Sequence, residues 1–269
     1  MSLPRIGVFD SGVGGLTVLK ALAEQLPAHY LYFGDTARLP YGTKSAETVA
    51  RYAIGAAHFL QGQQIDLLVI ACNTATALAL PLINQAAHVP VVGVVEPGAA
   101  MAAHVSKNRA AIVIGTEATV SSHAYREAME KRGLVVYEKA CPLLVPLVEE
   151  GWVDHPVTEQ VARIYLNEAL AQAASNSDVL VLACTHYPLL APLLRRIVPP
   201  SMEIVDSAES TAREVRKVLM DQQLATGTKD ADHRSFRFYV TDSVEKFKRL
   251  AIRFLGRQVD HVEHVDLGG

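Results

Sequence analysis

The sequence predicts an α/β protein of two similar doubly wound parallel-sheet domains, related by pseudo-two-fold symmetry, with a site in the cleft between them. Three observations carry this. Short apolar runs rich in β-formers alternate with longer amphipathic stretches, the pattern of parallel strands covered by helices on both faces. One segment occurs twice in form: Asp66-LLVIA-Cys72-Asn-Thr and Asp178-VLVLA-Cys184-Thr-His each place Asp six residues before Cys, with five apolar residues between. The 269 residues, half hydrophobic and a fifth charged, suffice for two packed domains of ordinary size.

The elements follow in order. Residues 6–9 are continuously apolar and stop at Asp10, so they read as a buried strand; 15–25 has helical periodicity. Residues 30–33 form a second strand and 46–61 a second helix. Strand 67–71 ends at Cys72, and strand 91–94 is followed by Glu96 and Pro97-Gly98. The series then repeats with strand 111–114, helix 119–132, strand 135–137, strand 179–183 ending at Cys184, and strand 203–205 ending in acid. IGVFDSG (6–12) resembles IVIGTEA (112–118), so the doubling extends beyond the Cys segments. Residues 236–241 with a helix over 244–254 return to the first domain. The expected division is 1–97 with 207–269 as one domain and 98–206 as the other.

Composition excludes several classes. The net charge of −3, with scattered lysines, gives no nucleic-acid or anionic-membrane surface. The apolar stretch 78–105 is interrupted by Pro81, Pro90, Glu96 and Pro97, so it is no membrane span, and the N-terminus carries no signal core. Three cysteines without a CxxC pair fit neither a disulfide framework nor a zinc knuckle. Cytoplasmic free thiols are the simplest expectation. GVGGL (12–16) follows a strand but has Thr17 where a dinucleotide loop needs Gly, and reads as a tight turn where backbone approaches a ligand.

The chemistry concentrates at strand ends, where open parallel sheets bind ligands. Asp10, Cys72, Glu96 and Cys184 all fall there. Each of Cys72 and Cys184 precedes an apparent helix N-terminus, whose dipole favours thiolate. Asn73, Thr74, Thr185 and His186 follow them, and with free backbone N–H groups these can hold carboxylates without Lys or Arg. A lone Cys is more often a small buried hydrophobe, and Cys141 reads that way. The repeated setting reverses those odds for the other two. Two thiols on opposite faces of a substrate suit a reaction that removes a proton from one face and returns it to the other. Asp10 reads as an auxiliary base at Cys72, as a group that orients a substrate ammonium, or as a helix cap, a role Ser11 can take instead. His186 is its counterpart at Cys184. GDTARLPYG (34–42) reads as a second site loop carrying Asp35, Tyr41 and Gly42, against an ordinary Pro/Gly turn. No Lys lies within these motifs to form a Schiff base, Lys44 being nearest, and metal ligands are too few, so no cofactor and no metal are expected.

IGVFDSGVGGLTVL (6–19), YFGDTARLPYG (32–42), ACNTATA (71–77), GVVEPG (93–98) and LACTHYPLL (182–190), in this order, resemble the bacterial glutamate racemases over nearly the whole chain. The resemblance implies a cytoplasmic, cofactor-independent isomerase that interconverts L- and D-glutamate for peptidoglycan and cell-wall synthesis. It implies catalytic roles for Cys72 and Cys184, with Asp10, His186 and Glu149 assisting, although Glu150 competes with Glu149 by one position. It implies substrate contacts at Asp10, Ser11, Tyr41, Gly42, Asn73, Thr74, Thr116, Thr119, Thr185 and His186. Some members carry an N-terminal extension tied to activation by a peptidoglycan precursor; the chain opens on its first strand motif, so no such requirement is expected. A homodimer is compatible with the resemblance. DNA gyrase enters as a secondary partner only through it, with no residue pattern here in support. Rival readings are an aspartate or other amino-acid racemase, a non-catalytic regulatory protein on this fold, and a thiol hydrolase using Cys184 and His186 alone.

Overall fold

Every strand pairing among the described residues is parallel. The structure, a computed structural model, describes residues 3–224 and 234–268. In the first part of the chain β1 (Arg5–Asp10), α1 (Leu16–Gln25), β2 (His29–Gly34), α2 (Ala46–Gly62), β3 (Leu67–Ile70), α3 (Asn73–Ala86) and β4 (Val91–Gly93) alternate. The second part runs α4 (Val95–Val105), β5 (Ala110–Gly115), α5 (Glu117–Ser121), α6 (Ala124–Glu130), β6 (Val135–Ala140), α7 (Leu144–Glu149), α8 (Pro156–Gln172), β7 (Val179–Ala183), α9 (Ala191–Ile197) and β8 (Glu203–Asp206). The chain closes with α10 (Ser207–Asp221), β9 (Ser235–Val240), α11 (Val244–Leu255) and β10 (Val262–His264).

The strands form two sheets, ordered β10-β9-β2-β1-β3-β4 and β6-β5-β7-β8. The order 2-1-3-4 of the first sheet recurs as 6-5-7-8 in the second, so the doubling seen in the Cys segments extends to topology. The matched aspartates have matched places: Asp66 N–H donates to Arg5 O (2.8 Å) and Asp178 N–H to Ala110 O (3.0 Å), each joining the foot of one central strand to its neighbour. β3 and β7 are buried along their full length because helices cover both faces. In the tail β9 pairs with β2, and β10 adds an edge strand that the sequence pattern did not reveal. No helix among the described residues is long and apolar enough to cross a membrane.

Three expectations need correction. The helix expected over 119–132 is two helices, α5 and α6, broken at His123, which takes a left-handed φ of 57°. Glu96 does not end a strand in the cleft: it stands in the first turn of α4, exposed, and pairs with Arg132 at 2.7 Å. The helix start expected directly after Cys184 is a short 3-10 turn, Tyr187–Leu190, leading into α9.

Candidate active site

In each sheet the central pair, β1/β3 and β5/β7, is where the strand order reverses, the position at which doubly wound sheets open a crevice. The residues leaving these strands converge on one cavity of about 360 Å³, at the small end of the usual range for ligand pockets. Ser11 and Gly12 follow β1, Cys72 to Thr74 follow β3, Thr116 and Glu117 follow β5, and Cys184 to His186 follow β7. Tyr41 and Gly42 enter from the loop after β2, and Glu149 from the end of α7. Both thiols are therefore in the wall of a single cavity, one from each sheet. No Lys or Arg lines that cavity among the described residues. No cluster of three His, Cys, Asp or Glu suited to a metal occurs among the described residues.

The two thiols have different surroundings. Cys72 is the N-cap of α3: its Sγ accepts from Ala75 N–H and its S–H donates to Ser11 Oγ, both at 3.4 Å. Asp10 is fully buried behind it, outside the cavity wall, and accepts from Gly12 N–H at 2.9 Å. Burial raises the Asp10 carboxyl above its ordinary value, against backbone hydrogen bonds from Gly15 and Gly12 and the charge of His186. Burial, then the charge of Asp10, pushes the Cys72 thiol up to about 12. The α3 dipole and the hydrogen bonds that Ser11 and Ala75 give the ionised sulfur oppose this and lose. The thiolate-favouring setting expected at Cys72 is thus corrected to one that holds the thiol, because desolvation of a buried anion outweighs a helix-end interaction of roughly 0.3–1 kcal/mol.

Cys184 faces an ionic pair instead. Its Sγ lies 3.9 Å from His186 Nδ1, while His186 Nε2 meets Glu149 Oε1 at 3.3 Å. Burial would lower the His186 imidazolium, but hydrogen bonds to Cys184 and Glu149 carry it up to about 10. The bond to His186 holds the Glu149 carboxyl below its ordinary value despite burial, and Lys246 Nζ at 3.4 Å adds to this. Glu149 is thereby separated from exposed Glu150, which is not in the wall. The end of α7 is held by Arg253 of α11, whose Nη1 donates to Glu149 O (2.7 Å) and Val148 O (3.0 Å). The Phe254 ring meets His186 edge-on at 5.1 Å.

This pair has a consequence for stability. A histidine raised from 6.5 to about 10 adds stability that is complete below pH 6.5 and lost as pH rises through 10. Glu149, lowered from 4.5, adds stability above that pH that is lost in acid as pH falls through its folded value. His186→Asn is therefore expected to flatten the decline of unfolding free energy between pH 6.5 and 10, where one linked proton contributes a slope of at most about 1.4 kcal/mol per pH unit. Urea midpoints across this range check it; parallel curves for wild type and variant would show that the pair is not linked to folding.

Other expected residues support the cavity rather than enter it. Thr119 is buried behind the wall, its hydroxyl 3.1 Å from that of Thr74 and 2.9 Å from that of Thr116, which are themselves 2.9 Å apart. Asp35 is fully buried and accepts from Tyr41 Oη (2.5 Å), Thr241 Oγ1 (2.9 Å) and Arg38 Nε (3.0 Å), so it anchors the loop that presents Tyr41 and Gly42. Cys141 is packed in the core outside the wall. The GVGGL turn enters the cavity wall at Gly12 and approaches the opposite half at Gly14. A Cβ there would lie 2.2 Å from Thr185 Oγ1 and 2.5 Å from His186 Nδ1; at Gly15 it would lie 2.5 Å from Asp10 Cβ. Thr17 Oγ1 also donates to Thr185 O at 3.1 Å. Sequence reasoning missed Tyr125, whose hydroxyl reaches Asn73, and the α11 residues behind Glu149, because nothing local marks them.

The Asp/Glu/Hydantoin racemase family matches residues 6–215. A glutamate racemase of Koribacter versatilis is 61% identical, over 99% of this chain and 98% of its own. Among solved structures, a glutamate racemase of Francisella tularensis in complex with D-glutamate is similar at a TM-score of 0.90 and 35% identity, covering 99% of both chains. A glutamate racemase isoform of Bacillus anthracis is similar at a TM-score of 0.92 and 37% identity, over 98% of each chain.

Proposed function

The chain belongs to the glutamate racemases of the Asp/Glu/Hydantoin racemase family, and we propose that it interconverts L- and D-glutamate by moving the α-proton directly between Cys72 and Cys184. The observation that carries this mechanism is the placement of both thiols, from equivalent strand ends of two sheets, in the wall of one cavity. A base on one face of the α-carbon tends to return a proton where it came from, whereas a thiolate on one face and a thiol on the other invert the centre. Asp10 serves Cys72 and His186, oriented by Glu149, serves Cys184. With no Lys or Arg in the wall, the substrate carboxylates bind to hydroxyls, the Asn73 amide and backbone N–H groups at the α3 start and after Cys184. Those N–H groups also stabilise the charge that develops as the α-proton leaves. No cofactor takes part in this scheme. The product feeds peptidoglycan synthesis, and the enzyme works in the cytoplasm, where its cysteines stay free. The same reading divides the chain into 1–97 with 207–269 and 98–206, in agreement with the sheet to which each strand belongs.

Incubation of single L-amino acids in deuterium oxide tests the substrate. L-Glutamate is expected to exchange its α-hydrogen at the rate of racemisation and L-aspartate to remain protonated. Exchange of aspartate but not glutamate would move the protein to the neighbouring specificity, and exchange of neither would favour a non-catalytic binding role.

A further inference from the structure

We infer that Tyr125 is a positioning residue for this reaction: its hydroxyl holds the Asn73 side-chain amide with the carbonyl end inward, leaving the NH2 end for a substrate carboxylate. This rests on the reading of the cavity as a glutamate site. Tyr125 Oη donates to Asn73 Oδ1 at 2.6 Å, joining α6 to the first residue of α3. Both side chains are buried, and Asn73 is in the cavity wall next to Cys72. Asn73 Nδ2 is buried and has no hydrogen-bond partner among the described residues. A buried amide with one end satisfied and the other open is costly unless something completes it, and a ligand carboxylate has the acceptor atoms that do so.

The phenol is well suited to this task. Burial raises its ionisation above the ordinary range, so it keeps the proton that it donates. Gly98 leaves the ring tightly housed: a Cβ there would lie 3.3 Å from Tyr125 Cε1 and 3.4 Å from its Oη. Without the hydroxyl, Oδ1 is a buried acceptor that has lost its donor, and the amide gains by turning its carbonyl elsewhere, including toward the substrate, where it repels a carboxylate. In a wall without Lys or Arg, the sign of that one dipole matters for binding.

The test is a double-mutant cycle with Tyr125→Phe, Asn73→Ala and the two combined, reading kcat and KM for glutamate together with Tm. Phe keeps the ring packing. Tyr125→Phe is expected to raise KM and to lower kcat/KM by about ten- to a hundredfold, the range for a buried polar group left unpaired. If Tyr125 acts through Asn73, adding Tyr125→Phe to Asn73→Ala costs no further kcat/KM, even where both singles lower Tm. Wild-type kinetics in Tyr125→Phe, or a penalty that persists in full on the Asn73→Ala background, would overturn the inference while leaving the glutamate reading standing. A wild-type protein that does not racemise glutamate would overturn both.

Discussion

Cys72→Ala and Cys184→Ala are each expected to reduce racemisation to background, whichever enantiomer is supplied. Each direction of the reaction needs both thiols, one to take the proton and the other to deliver it, so no direction survives the loss of either. Thermodynamics makes the same demand: the enantiomers have equal free energies in water, and kcat/KM for the two directions must therefore fall together in any variant. General acid–base catalysis by a positioned group contributes roughly 10²–10⁴-fold. A loss of at least about 10³-fold is expected from each substitution, since the partner thiol is stranded as well. Both cysteines are nearly covered, at 5% and 6% exposure, and alanine fits both sites, so Tm should stay close to wild type. Activity retained by Cys72→Ala would instead support single-thiol chemistry at Cys184 and His186.

Gly14→Ala is expected to be almost as damaging, by a different route. Its Cβ would stand 2.2 Å from Thr185 Oγ1 and within 2.6 Å of His186 Cε1, far inside contact distance, so side chains of the opposite half must move. They have little room. His186 is fixed by Glu149 on one side and by the Phe254 ring on another, while the Thr185 backbone is held by Thr17. A displacement of about 1 Å in a catalytic array costs on the order of 10²-fold, and that is the expected fall in kcat/KM. Gly14 lacks a left-handed φ, the conformation that favours glycine, so the backbone accepts alanine and the effect falls on the site more than on folding. A folded Gly14→Ala protein with wild-type kcat/KM would show that the contact does not position the Cys184 side.

Much of the architecture was legible in the residues because its signals are local. Apolar runs with no polar alternation mean strands covered on both faces, and the spacing from Asp66 to Cys72 recurs from Asp178 to Cys184 because in each case a run of buried apolar residues leads from the foot of a central strand to the cysteine beyond its end. The break at His123 was not legible: the helical periodicity of 119–132 continues across a single residue whose conformation is left-handed. Glu96 misled for a similar reason, since an acid after an apolar run marks a strand end and a helix start equally well, and only the packing of α4 separates the two.

The sequence by itself thus determined the fold class, the strand ends where chemistry gathers, and the pair of matched cysteines. Tertiary structure alone decided how those residues behave. It set Glu149 rather than Glu150 against His186, placed Thr119 and Asp10 behind the wall instead of in it, turned Gly14 toward the facing half, and brought Tyr125 to Asn73 across 52 residues of chain. It also set burial against the helix dipole that favours thiolate at Cys72. A helix dipole can be anticipated from sequence order, but the desolvation that outweighs it depends on everything packed around the sulfur, Asp10 included. The cysteines thus share a pattern in the sequence, and in three dimensions one is a buried thiol beside a carboxyl while the other lies beside an imidazolium held by Glu149.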